Sequence, residues 1–114
     1  MRLLLAFVIL GFLAISAVMA QTVVSKITGI TNITTDNGVG TGYEVFGLSD
    51  GNQRLLYGMT NRSGGDAKWS VDIFYVDGAG QTHQKHAEFQ GPNGTHFDRQ
   101  LDMAQFIAIN VKDL

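Results

Sequence analysis

The hydrophobic positions of this chain fall into two regimes. From Leu3 to Leu13 apolar residues run almost unbroken, interrupted only by Gly11, behind a short positive start at Met1 and Arg2. Beyond Gln21 the apolar runs are short, and apolar and polar residues alternate. The first regime passes into smaller residues from Ala14 to Ala20, with Val18 and Ala20 at the spacing a signal peptidase accepts. It predicts a signal peptide over residues 1–20 and a mature chain starting at Gln21. A membrane anchor is the competing reading, since about 20 apolar residues can span a bilayer. Against it, the strongly apolar part ends at Leu13, and only Lys26 follows where a cluster of basic residues would stop transfer. The expectation is therefore a secreted, extracellular domain over residues 21–114, with no membrane association after cleavage.

Within that domain, alternation of period two marks strands with one buried face. Thr22 to Ile30 reads as the first, and Tyr43 to Leu48 as the next. Gly38 to Gly42, glycine-rich, reads as a flexible hairpin connection before it. Asp50-Gly51 predicts a tight turn into Arg54 to Met59, because glycine tolerates the positive φ such turns need. Asn61 to Ala67 is a polar loop. The clearest strand follows, with Trp69, Val71, Ile73 and Tyr75 alternating against Ser70, Asp72, Phe74 and Val76. Asp77 to Gly80 turns it toward Thr82 to Gln90, and Phe106 to Val111 is apolar enough for burial on both faces. Seven or eight short strands in this length predict an all-β fold, a small antiparallel two-sheet sandwich.

Gly91-Pro92-Asn93-Gly94 carries the strongest turn signal. Pro92 presets φ, Asn93 suits the third position and Gly94 the left-handed conformation. Read as a hairpin, it pairs Phe89 with Phe97, Glu88 with Asp98 and His86 with Gln100. One face then carries Phe89, Phe97 and Leu101. The other gathers His86, Glu88, Gln90, His96, Asp98 and Gln100.

Composition narrows the chemistry. Removing Arg2 leaves seven basic residues against ten acidic ones, a mature charge of −3, with no basic stripe. Phosphate-backbone binding lacks its electrostatic source, so nucleic acid is not an expected partner. There is no cysteine, which excludes thiol nucleophiles and Cys-ligated zinc and leaves the small core without disulfide support. Asn32, Asn61 and Asn93 each open an Asn-x-Ser/Thr sequon, which in a eukaryotic host predicts a glycoprotein. The alternative is that asparagine simply suits turns.

The polar hairpin face has three readings. The plainest is a solvated surface, which a half-exposed antiparallel hairpin must have. A second is a divalent-metal site with His86 and His96 as nitrogen ligands and Glu88 or Asp98 as oxygen ligands. A third is a pH-sensitive binding surface flanked by Gln90 and Gln100. Enzyme signatures are sparse. Glu88, Asp98, Asp72 and Glu44 are the carboxylates open to acid–base work, and no Gly-x-Ser-x-Gly elbow or phosphate loop is present. Trp69 reads as core before it reads as a sugar platform, because it alternates with Val71 and Ile73. The first functional expectation is a non-catalytic extracellular recognition glycoprotein that needs no cofactor and takes a glycan or protein partner. The alternatives are a small hydrolase on His86, Glu88, His96 and Asp98, and a structural component that self-associates through a sheet edge.

Overall fold

The computed structural model describes residues 21–114; the signal peptide expected over 1–20 lies outside the described residues. Eight strands form: β1 (Val23–Lys26), β2 (Thr31–Thr34), β3 (Val39–Leu48), β4 (Gln53–Asn61), β5 (Ala67–Val76), β6 (Thr82–Gly91), β7 (His96–Met103) and β8 (Gln105–Asp113). They build two antiparallel sheets. In the five-stranded sheet A the order is β1-β3-β4-β7, with β2 also on β3; the three-stranded sheet B runs β6-β5-β8. Val45, Leu55, Tyr57 and Met59 of sheet A meet Trp69, Val71, Ile73, Phe89 and Ile109 of sheet B in one buried cluster. The sandwich architecture is the one the alternation predicts, and Trp69 lies fully buried on the central strand of its sheet.

Four local expectations differ from the structure. The stretch from Thr22 to Ile30 is not one strand: β1 pairs with the far end of β3 and β2 with its near end. Between them the N–H groups of Ile27 and Thr28 both reach the Val45 carbonyl, so one acceptor serves two donors and the edge strand breaks there. Gly38 to Gly42 is not a loose connection, since β3 already begins at Val39. Val39 and Thr41 are buried, and the glycines between and after them take the outward positions of a regular strand. The last strand, β8, is not buried on both faces: Ile107 is 49% exposed, because β8 is the rim of sheet B.

The fourth difference decides the site. β6 and β7 do not form a hairpin. β6 pairs with β5 in sheet B, and β7 pairs with β4 in sheet A. The segment Gly91–Thr95 is the corner by which the chain crosses from one sheet to the other. Its turn chemistry is as the sequence reads it, with Gly94 at φ 89° and the Thr95 N–H donating to the Pro92 carbonyl. The partner is what changes. β4 alternates Leu55, Tyr57 and Met59 inward and is flanked on its free side by β7. Phe89 and Phe97 still meet, with ring centroids 5.2 Å apart, but across the sandwich core rather than side by side in one sheet.

Buried Asn61 staples that corner. Its amide Nδ2 donates to the carbonyls of Gly65 at 2.8 Å and Gly91 at 2.9 Å, and its Oδ1 accepts from the Ser63 N–H at 2.9 Å. Its backbone exchanges bonds with Thr95 and Gly94. A fully buried polar side chain is tolerated because each of its groups has a partner.

Candidate functional site

Two rows of residues cross the outer face of sheet A. Strand register sets Asn32, Gly42, Gly58 and Asp98 side by side on β2, β3, β4 and β7, and Thr34, Gly40, Thr60 and His96 in the next outward row. The intervening residues Thr41, Met59 and Val39 are buried, so the pleat turns both rows to solvent. Three of the four central positions are glycine. Where the other strands lift side chains, β3 and β4 show bare backbone at three corners of a patch about 5 Å by 7 Å, one strand spacing by two residues.

The result is a trough of about 260 Å³ floored by Gly40, Gly42 and Gly58 and walled by Asn32, Thr34, Thr60, Arg62 and His96. Its walls lean over the floor. A Cβ at Gly42 would meet Asn32 Oδ1 at 3.1 Å, and one at Gly58 would meet Asp98 Oδ1 at 2.8 Å and His96 Cε1 at 3.2 Å. Gly40 has open space above it, with no atom within 4 Å of an added Cβ. A glycine inside a strand pattern is a mark of close approach by something else.

His96 is held at both nitrogens, Nδ1 at 2.7 Å from Thr60 Oγ1 and Nε2 at 2.9 Å from Asp98 Oδ1. The tautomer follows from the partners. An ionised carboxylate only accepts, so in the neutral ring Nε2 carries the proton and Nδ1 is a lone pair. Thr60 must then donate its hydroxyl proton to His96. The site is wet, with the His96 side chain 51% exposed and that of Asp98 81%.

No protein-family model and no curated protein matches the chain. It is similar to a solved structure. That is the crystal structure of a DUF1425 family member from Shewanella sp. pv-4, at TM-score 0.42 and 10% identity, covering 82% of this chain and 94% of that one.

The four residues expected to converge on a hairpin face are divided between the two outer surfaces of the sandwich. His96 and Asp98 stand on sheet A; His86 and Glu88 stand on sheet B, on the edge strand β6. The metal and hydrolase constellation of His86, Glu88, His96 and Asp98 is therefore not assembled. Among the described residues no group of three or more His, Cys, Asp or Glu is arranged to hold a metal ion. Gln90 and Gln100 part in the same way. Gln90 lies beside Lys68 at a depression of about 480 Å³ near the Asp66–Lys68 and Gly91–Pro92 segments, while Gln100 sits cross-strand from Leu56 on sheet A.

On sheet B, His86 finds Asp72 instead: Nδ1 donates to Oδ1 at 2.6 Å, and Gln84 Nε2 donates to the same oxygen at 3.0 Å. These bonds to its charged form, the His86 one foremost, lower the Asp72 carboxyl below its ordinary 3.8. Here the central strand is filled rather than bare. Ser70, though outward by register, is 2% exposed, with Glu88 and Lys112 as its cross-strand neighbours.

The sequons separate too. Asn32 and Asn93 are exposed. Asn61 is fully buried with its Nδ2 committed to two carbonyls, so the glycan expected there is incompatible with the closed corner. The trough residues Gly40, Gly42, Gly58, Thr60 and Arg62 are absent from the sequence expectation. The signal for Gly40 and Gly42 is the period-two run Val39, Thr41, Tyr43, in which glycine fills the places between.

Proposed function

We propose that the mature chain, released by cleavage after Ala20, is an exported binding module that holds a hydroxyl-rich polar ligand, a saccharide, in the trough on sheet A. The supporting observation is the floor of Gly40, Gly42 and Gly58 beneath polar walls. An amide, two hydroxyls, an imidazole and a guanidinium surround a shallow concavity of about 260 Å³. That mixture of donors and acceptors suits a ligand whose own groups both donate and accept. The volume lies just below the usual range for ligand sites, which favours a single sugar unit over a folded partner. The acidic balance of the chain speaks against nucleic acid.

Gly40→Leu tests the reading. The Cβ of the new side chain meets no atom within 4 Å, and the φ lies outside the left-handed region, so the domain stays folded while the trough fills. On an oligosaccharide array, with titration calorimetry on each hit, the native chain binds and Gly40→Leu does not, at equal thermal stability. Undiminished binding by Gly40→Leu sinks the trough as the site.

A second reading rests on a different observation. Val23 and Val24 of β1 and Ile27 and Ile30 just after it are exposed at the edge of sheet A, Val24 at 64% and Ile30 at 72%. An apolar sheet edge of this kind favours pairing with another chain. Sedimentation at rising concentration tests it, and a strict monomer throughout rejects it.

A further inference from the structure

Thr60, His96 and Asp98 form a linear chain of hydrogen bonds beside the trough: hydroxyl to imidazole at 2.7 Å, imidazole to carboxylate at 2.9 Å. The order is that of an activated nucleophile, a base and a group that orients the base. Each link is enforced by its neighbour. Asp98 can only accept, so Nε2 is the protonated nitrogen; the lone pair is then on Nδ1, and the Thr60 proton points at it. β4 and β7 hold Thr60 and His96 directly opposite each other, so register sets the contact and no loop closure is needed. The trough lies alongside with its glycine floor, which leaves room for a substrate next to the Thr60 oxygen. Arg62 lines the same trough, and a guanidinium is the kind of group that stabilises an oxyanion.

We propose that Thr60, His96 and Asp98 constitute an acyl-transfer centre acting on carboxylic esters of hydroxyl-rich alcohols. Thr60 Oγ1 attacks the ester carbonyl carbon while its proton passes to His96 Nδ1. The carbon–oxygen bond to the alcohol breaks, the alcohol leaves with that proton, and the acyl group stays on Thr60. Water then attacks the acyl carbon and gives one proton to Nδ1. The Thr60 oxygen departs and takes that proton back, releasing the carboxylic acid. Thr60 and His96 are the catalytic residues. Asp98 is a positioning residue that acts through the ring. The exposure of the pair places the centre among slow catalysts, because water weakens the electrostatic part of the rate.

The test uses the mature domain and p-nitrophenyl acetate. The expected result is a burst of p-nitrophenolate with acetyl carried on Thr60, located by peptide mass mapping. Thr60→Ser keeps the burst. Thr60→Val, of the same shape and suited to a strand, loses roughly a hundredfold in rate. Asp98→Asn lowers kcat with KM little changed, which a merely structural role would not do. Because His96 remains in Thr60→Val, hydrolysis by imidazole alone would persist there. An unchanged rate in that variant, or no acetyl on Thr60 in the native chain, overturns the proposal. The inference rests on the trough as a ligand site, not on the saccharide reading. Thr60 acylation without saccharide binding removes that reading and leaves this one, and the converse result does the reverse.

Discussion

On sheet B, His86 reaches Asp72 across strands whose central positions are filled, with Ser70 covered between the Glu88 and Lys112 positions. On sheet A, His96 reaches Asp98 beside Gly58, next to Gly40 and Gly42. The same pair of side chains thus closes one surface and lines an opening in the other. Histidine and aspartate are shared; the neighbouring strands are not. Whether a polar pair becomes a site depends on the side chains its neighbours lack.

Both faces stand on one core, and that is the first point at which to break the comparison. Trp69→Ala empties a fully buried position stacked on Phe89 at 6.0 Å and near Phe97 at 6.3 Å. It should destabilise by about 3–5 kcal/mol in urea unfolding and loosen both surfaces together. A loss below about 1 kcal/mol would mean that the sheets are stable apart.

Asp72→Asn separates the faces. The folded Asp72 carboxyl lies below its ordinary value, so its contribution is fully present above about pH 4 and is lost as pH falls through the lowered folded value. Thermal scans from pH 7 to pH 2 should show native and variant curves converging at the acid end. The gap at neutral pH should stay under about 1 kcal/mol for so open a pair. The trough should be unaffected, and a matching change in Thr60 reactivity would mean that the two faces communicate. Gly58→Ala is the mildest change and acts on sheet A alone. Its Cβ displaces Asp98 and His96, whose exposed ends can move. Stability should shift by about 0.5 kcal/mol or less, while acylation of Thr60 falls.

The sandwich was legible because alternation reports which face a residue takes. It does not report which strand lies alongside. Phe89 and Phe97 illustrate the gap. A hairpin and a sheet-crossing corner both bring them together, and Gly91 to Gly94 suits either. What separates the two is the demand of β4 for a second neighbour, and that is a property of the whole sheet. The site was hidden for a related reason. Hydropathy weighs the side chains a strand carries, so Gly40 and Gly42 read as a gap between elements. Asn61 reads as loop because a polar residue carries no mark of burial until its three partners from Ser63, Gly65 and Gly91 are in place. His96 and Asp98 were found by residue type, but their neighbours Thr60 and Gly58 lie some 36 to 40 positions upstream.

The buried Asn61 has a practical consequence for whoever produces the protein. Oligosaccharyltransferase meets a chain while it is still entering the secretory compartment, before any corner has closed. In a eukaryotic expression host the Asn61-Arg62-Ser63 sequon would be open at that moment, and a sugar attached there could not afterwards be accommodated. Such a product would leave the cell slowly or not at all, whereas bacterial production avoids the trap. Ser63→Ala removes the acceptor signal and spares the asparagine, keeping the backbone N–H that Asn61 binds. Rescue of yield by that one substitution would show that a sugar at Asn61 keeps the corner from closing.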